Sequence, residues 1–141
     1  MKRLFLVIAL YCYNALADTV TIVGKQTSIE NISRNEAKSL YLMKSRRLND
    51  GQSVILFQMP QSSYEHKKFV RDVLGMPIEQ YKRELDRLIN AGLSMPIRIV
   101  SSKQDMLNSV AITYNSIGYI DADHLIIYSG ENDVKTLKII D

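Results

Sequence analysis

Apolar positions in this chain follow two rhythms, and the way the rhythms alternate predicts the architecture. Thr19 to Val23 is a β-branched, apolar run closed by Gly24, which reads as a first strand. From Ser33 the spacing turns helical, with Ala37, Leu40, Tyr41 and the stem of Lys44 on one face. Ser33 with Glu36 three residues on forms a capping box. Asn49-Asp50-Gly51 is a turn, and Ser53 to Phe57 is apolar enough for a strand buried on both faces.

Pro60-Gln61-Ser62-Ser63 opens a second helix, striped by Phe69, Val73 and Leu74 and stopped by Gly75. Pro77 and Gly92 bracket a third, Ile78 to Ala91, with Tyr81, Leu85, Leu88 and Ile89 on one face. Ile97 to Val100 reads as a strand, and Ser102 with Asp105 caps a fourth helix running to about Tyr114. Ile117 to Ile120, Leu125 to Tyr128 and Lys135 to Ile140 complete the set as strands. Strands that alternate with helices in this way predict an α/β layer fold, a mostly parallel sheet flanked by helices. Ligands of such sheets bind outside the carboxyl ends of the strands.

The amino end changes the compartment. Lys2 and Arg3 precede the apolar run Leu4 to Leu10, and Ala15-Leu16-Ala17 supplies small residues for a signal peptidase. The run is far shorter than the roughly 20 residues that span a bilayer, so residues 1–17 read as a signal peptide rather than a retained anchor. Cleavage near Ala17 leaves residues 18–141 as a single exported domain, expected in a periplasm, and no later segment is long and apolar enough to cross a membrane. Cys12, the only cysteine, leaves with the signal, and with it any disulfide or thiol chemistry. The 18 basic residues fall to 16 against 15 acidic ones, and nucleic-acid binding gains no support.

Chemistry-bearing residues are few. Ser62 and Ser63 stand at a helix start behind a buried strand, where free N–H groups and the helix dipole suit an anion; ordinary N-capping accounts for them as well. Ser101 and Ser102, with Arg98 and Lys103 nearby, repeat that choice at the fourth helix. His66 falls beside Lys67 and Lys68, which suggests a solvated face, and neither it nor His124 has a partner at metal-ligand spacing. Lys44, Arg46 and Arg47 complement a helix end. The pattern assigns no catalytic residue, no metal and no cofactor.

The order of several weak motifs adds a resemblance. Ile32-Ser33-Arg34-Asn35-Glu36-Ala37 followed by Leu40-Tyr41-Leu42-Met43-Lys44 resembles the "ls-x-x-el-x-x-IF-x-G-K" segment of phosphate-type ABC transporter substrate-binding proteins. Ser62 followed by Phe69, the stretch Pro96 to Val110, and Asn115 to Ile120 resemble later segments of that family in the same order. The match covers about two thirds of residues 18–141 and implies a single periplasmic-binding-protein-like lobe, with no counterpart of the family's first lobe. It implies an anion loop carrying an arginine and a Ser-Gly-Thr triplet, whereas Gln58 and Ser62-Ser63-Tyr64 stand at those positions. A guanidinium is the best bidentate partner for a phosphate, so its loss predicts weak anion binding. The expectation is therefore a non-enzymatic binding module, accessory or regulatory to an envelope or sensor protein, with at most weak affinity for phosphate or another small oxyanion. The alternative is the solute-binding component of a phosphate or oxyanion ABC uptake system.

Overall fold

The computed structural model describes residues 19–24, 26–93, 97–128 and 134–140; the expected signal segment and cleavage point lie outside them. Six strands, β1 (Thr19–Gly24), β2 (Asn31–Ser33), β3 (Ile55–Gln58), β4 (Ile97–Ile99), β5 (Ser116–Asp121) and β6 (Val134–Ile140), form one sheet in the order β2-β6-β1-β5-β3-β4. The helices are α1 (Arg34–Tyr41), α2 (Tyr64–Asp72), α3 (Ile78–Asn90), α4 (Lys103–Ile112) and α5 (Ala122–Tyr128).

Three pairings, β2–β6, β3–β4 and β3–β5, are parallel. The central strand β1 runs antiparallel to both its neighbours, pairing Thr19 with Asp121 and Thr21 with Leu137. The sheet is thus mixed. Because β3, β4 and β5 point the same way, their carboxyl ends, and the starts of α2, α4 and α5 that follow, share one edge. The antiparallel β1 begins at that edge.

Two elements differ from expectation. Leu125 to Tyr128 is the end of α5 and not a strand. Asp121 starts that helix by accepting the His124 N–H at 3.1 Å. A run such as Leu-Ile-Ile-Tyr fits a buried strand or a short helix equally well, and the cap upstream decides it. The other is β2, three residues long and too short to show a period of its own.

The caps show how local chemistry sets the helix limits. Ser33 Oγ accepts the Glu36 N–H at 3.0 Å, but Glu36 turns outward and takes the Asn49 N–H at 2.6 Å, tying α1 to the turn before β3. At the other end of α1 the Met43 N–H donates to the Leu40 carbonyl and the Lys44 N–H to the Ser39 carbonyl, a Schellman closure. Met43 takes the left-handed position, at φ 57, where the resembling motif has glycine. Lys44 lies beyond the helix and is exposed, so its stem does not join the buried face.

Alternation along β5 sorts the two faces of the sheet. Gly118 lies under α4, where an added Cβ would stand 2.6 Å from Met106 Sδ and 2.8 Å from Val110 Cγ2. Tyr119 points to the opposite face, against Phe69 of α2 and Tyr41 of α1. Gly118→Ala should therefore overpack the β5–α4 contact and cost about 1–3 kcal/mol. Urea unfolding would show a lowered midpoint; an unchanged midpoint would mean that α4 moves aside freely.

Candidate site at the carboxyl edge of the sheet

The start of α2 is closed by its own residues. Ser63 Oγ accepts the His66 N–H at 3.2 Å and donates to the Pro60 carbonyl at 2.6 Å, while the Ser63 N–H donates to the same carbonyl. Ser62, one residue earlier, is exposed. The first-turn amides of Tyr64 and Glu65 have no carbonyl one turn back within the helix, as in any helix.

The start of α4 is capped in the same way. Ser102 Oγ accepts the Asp105 N–H at 3.0 Å. Asp105 Oδ2 takes both the Ser101 N–H at 2.9 Å and the Ser101 hydroxyl at 3.1 Å. The Ser101 amide holds the Asp105 carboxyl below the usual carboxylate range. The donors of Ser101 that would suit an external anion are thus engaged by an internal one.

Lys103 links the elements of the edge. Its Nζ lies 2.9 Å from Asp121 Oδ1 at the end of β5 and 3.6 Å from Glu65 Oε1 in the first turn of α2. The bond to Asp121 raises the ammonium's pKa. Burial pushes the Asp121 carboxyl up, but Lys103 and the His124 amide outweigh it and hold it low. Around these groups lies a pocket of about 150 Å³, with Ile120 and Thr19 from the two central strands, Tyr64 and Lys68 from α2, and the Glu65–Lys103–Asp121 trio. It is smaller than the roughly 300 Å³ typical of drug-sized ligand sites, which suits a ligand of few heavy atoms.

The structure brings the Ser62-Ser63 and Ser101-Ser102 helix starts to this one edge. None of these four serines lines the pocket, and neither does Arg98, which is exposed in the edge strand β4. Sequence reasoning missed Glu65, Lys68, Lys103 as a pairing group, and Asp121, because only tertiary convergence joins them.

Gln58 ends β3 fully buried, and neither atom of its side-chain amide has a hydrogen-bond partner. Each of Gln58 and Tyr119 lies two residues beyond the Leu56–Ile117 pair, so they share the face covered by α2. His66 is no solvated residue; it is fully buried there, with Nδ1 2.8 Å from the Tyr119 hydroxyl and its ring 5.5 Å from that of Tyr81. Burial, helped by the Lys82 charge, pushes its pKa down to about 4, so it is neutral at neutral pH. Among the described residues no group of three or more His, Cys, Asp or Glu could hold a metal ion.

The same layering occurs in solved structures. The chain superposes on an ABC-type phosphate transport receptor from Vibrio cholerae with a TM-score of 0.61 at 13% identity, covering 87% of this chain and 46% of that one. On PstS from Borrelia burgdorferi the TM-score is 0.61 at 15% identity, covering 87% and 47%. A possible phosphate binding protein from Planctomyces limnophilus gives 0.64 at 13%, covering 89% and 42%. The fold is that of a single periplasmic-binding-protein-like lobe, the layering that these phosphate-binding structures share. The chain spans less than half the length of each of these structures. No protein-family model matches it, and no curated protein sequence matches it. No helix among the described residues is long and apolar enough to cross a membrane.

Proposed function

We propose that this lobe is a non-enzymatic solute-binding module that takes a small oxyanion of the phosphate class at its carboxyl edge, as the binding component of an ABC uptake system. The observation that carries the reading is the juxtaposition of the α2 and α4 starts with Lys68 and Lys103 around one small pocket, in a fold whose structural neighbours are phosphate-binding proteins. Export to a periplasm through residues 1–17 belongs to the same proposal. The rival role, accessory to an envelope or sensor protein, gains nothing from the fold or from its neighbours.

The affinity of the lobe by itself is low. The Ser63 hydroxyl donates to the Pro60 carbonyl and the Ser101 hydroxyl to Asp105, Gln58 offers no guanidinium, and Glu65 and Asp121 repel a second anion. One wall also covers a ligand on one side only, whereas tight sites bury most of its surface. Micromolar binding therefore requires a second wall, from another lobe or another chain. Calorimetry of the protein with phosphate and with sulfate should show saturable millimolar binding, weakened by Ser62→Ala and abolished by Lys103→Ala. Absence of saturable heat with either anion would remove this reading.

A further inference from the structure

Residues 59–66, the turn that presents Ser62 and Ser63, are closed into a circuit at both ends. The Met59 N–H donates to the Tyr119 hydroxyl oxygen at 2.9 Å, and that hydroxyl lies 2.8 Å from His66 Nδ1. The His66 N–H donates to Ser63 Oγ, which donates to the Pro60 carbonyl. His66 therefore joins both halves of the circuit, with its ring through Tyr119 and with its amide through Ser63.

The hydrogen-bond inventory fixes who donates. A phenol oxygen that accepts an amide proton still has its own proton to give, and Nδ1 is the group in reach. Tyr119 is buried and its phenol pKa is pushed well above the usual value by that burial, so it stays a donor. The imidazole proton then sits on Nε2, which is buried without a hydrogen-bond partner. A second proton on the ring would place N–H against O–H at the Tyr119 junction. The phenol would have to turn its proton away and accept from both His66 and Met59.

We propose that Tyr119 and His66 are positioning residues for the ligand edge: their bond fixes the Met59–Ser63 turn, and a proton on His66 releases it. The groups around His66 disfavour its charged form. Tyr119 of β5 and Tyr81 of α3 face it as neutral phenols, Lys82 of α3 opposes its protonation, and Glu65 and Lys67 flank it in α2. Tyr41 of α1 packs on Tyr119, and β1 (TVTIVG) carries no ionisable side chain. Only the consequence for ligand rests on the proposed binding function; the hold on the turn does not.

Amide hydrogen exchange of the whole protein reads the turn directly. Tyr119→Phe should speed exchange at Met59 on the order of tenfold, the loss of roughly one hydrogen bond, while β1 amides stay protected. Acidification of the unmodified protein to about pH 4 should do the same beyond the intrinsic change in rate. His66→Asn, whose amide oxygen replaces Nδ1 as an acceptor but cannot titrate, should keep Met59 protected and abolish the acid response. Unchanged Met59 exchange in Tyr119→Phe, or a full acid response in His66→Asn, overturns the proposal. Should either variant fail to fold, ring-nitrogen shifts of His66 in the unmodified protein decide: a bare Nδ1 at neutral pH supports the proposal, a protonated one refutes it. Sulfate, whose charge is constant over this range, separates the two readings. If Met59 responds while sulfate never binds, the latch stands and the binding function fails.

Discussion

Phe69→Ala is expected to lower the unfolding free energy by about 4 kcal/mol, a large share of the roughly 5–15 kcal/mol that holds a domain of this size together. Phe69 is fully buried, stacked on Tyr119 with ring centroids 3.8 Å apart and edge-on to Tyr41 at 4.8 Å. Its removal leaves a cavity and also loosens both tyrosines. Tyr41 donates its hydroxyl to the Phe57 carbonyl at 3.0 Å, and Tyr119 accepts the Met59 N–H, so the end of β3 is held from two sides through rings that lean on Phe69. Tyr81 extends the set by donating to the Tyr41 carbonyl at 2.9 Å. Denaturant unfolding at neutral pH measures the loss. Phe69→Leu, which keeps most of the volume, should cost less than half as much, and equal losses for the two variants would show that the site collapses around any smaller residue.

Acid should destabilise the fold before its carboxylates titrate. His66 ionises at about 4 in the folded protein and at 6.5 when unfolded. The unfolded chain therefore binds the extra proton first as pH falls, and the depressed folded value means stability is complete above 6.5. It declines from there and levels off below about 4, with a total loss of about 3 kcal/mol. Asp105 and Asp121, both held low, add their losses as pH falls through the ordinary carboxylate range and on below it. Unfolding free energies for the unmodified protein and for His66→Asn, measured from neutral pH down to about 4, isolate the histidine. The slope between 6.5 and 4 should vanish in the variant. If both proteins lose stability equally, His66 is not the group that titrates.

What was legible in the sequence was what local chemistry decides. Ser33, Ser63 and Ser102 cap helices as their spacing indicates, because a side-chain oxygen three residues before a free amide needs nothing from the rest of the fold. Helix faces were readable for the same reason; Tyr81 and Leu85 are buried, although Ile89 at the end of α3 is exposed. Leu88 is only half-buried, the helix having run past the core it covers. His66 was misread because Lys67 and Lys68 beside it suggested water. A signal was present all the same: His66 precedes Phe69 and Val70 by three and four residues, which puts it on the apolar stripe. Even Lys68 is buried in the fold. Strand direction was not legible. β1 pairs antiparallel with strands from much later in the chain, Thr19 with Asp121 and Thr21 with Leu137, and nothing within Thr19–Gly24 encodes that choice. The Glu65–Lys103–Asp121 trio is of the same kind, three ordinary charged residues until the sheet gathers their helix starts at one edge.

Whether that edge binds an anion is tested most directly by amide-resolved magnetic resonance of the isotope-labelled protein titrated with phosphate. Shifts at Ser62, Ser63, Tyr64, Glu65 and Lys103 that saturate together in the millimolar range are the predicted result. No saturable shift at those amides, or shifts confined to the exposed basic cluster of Lys44, Arg46 and Arg47, would contradict it.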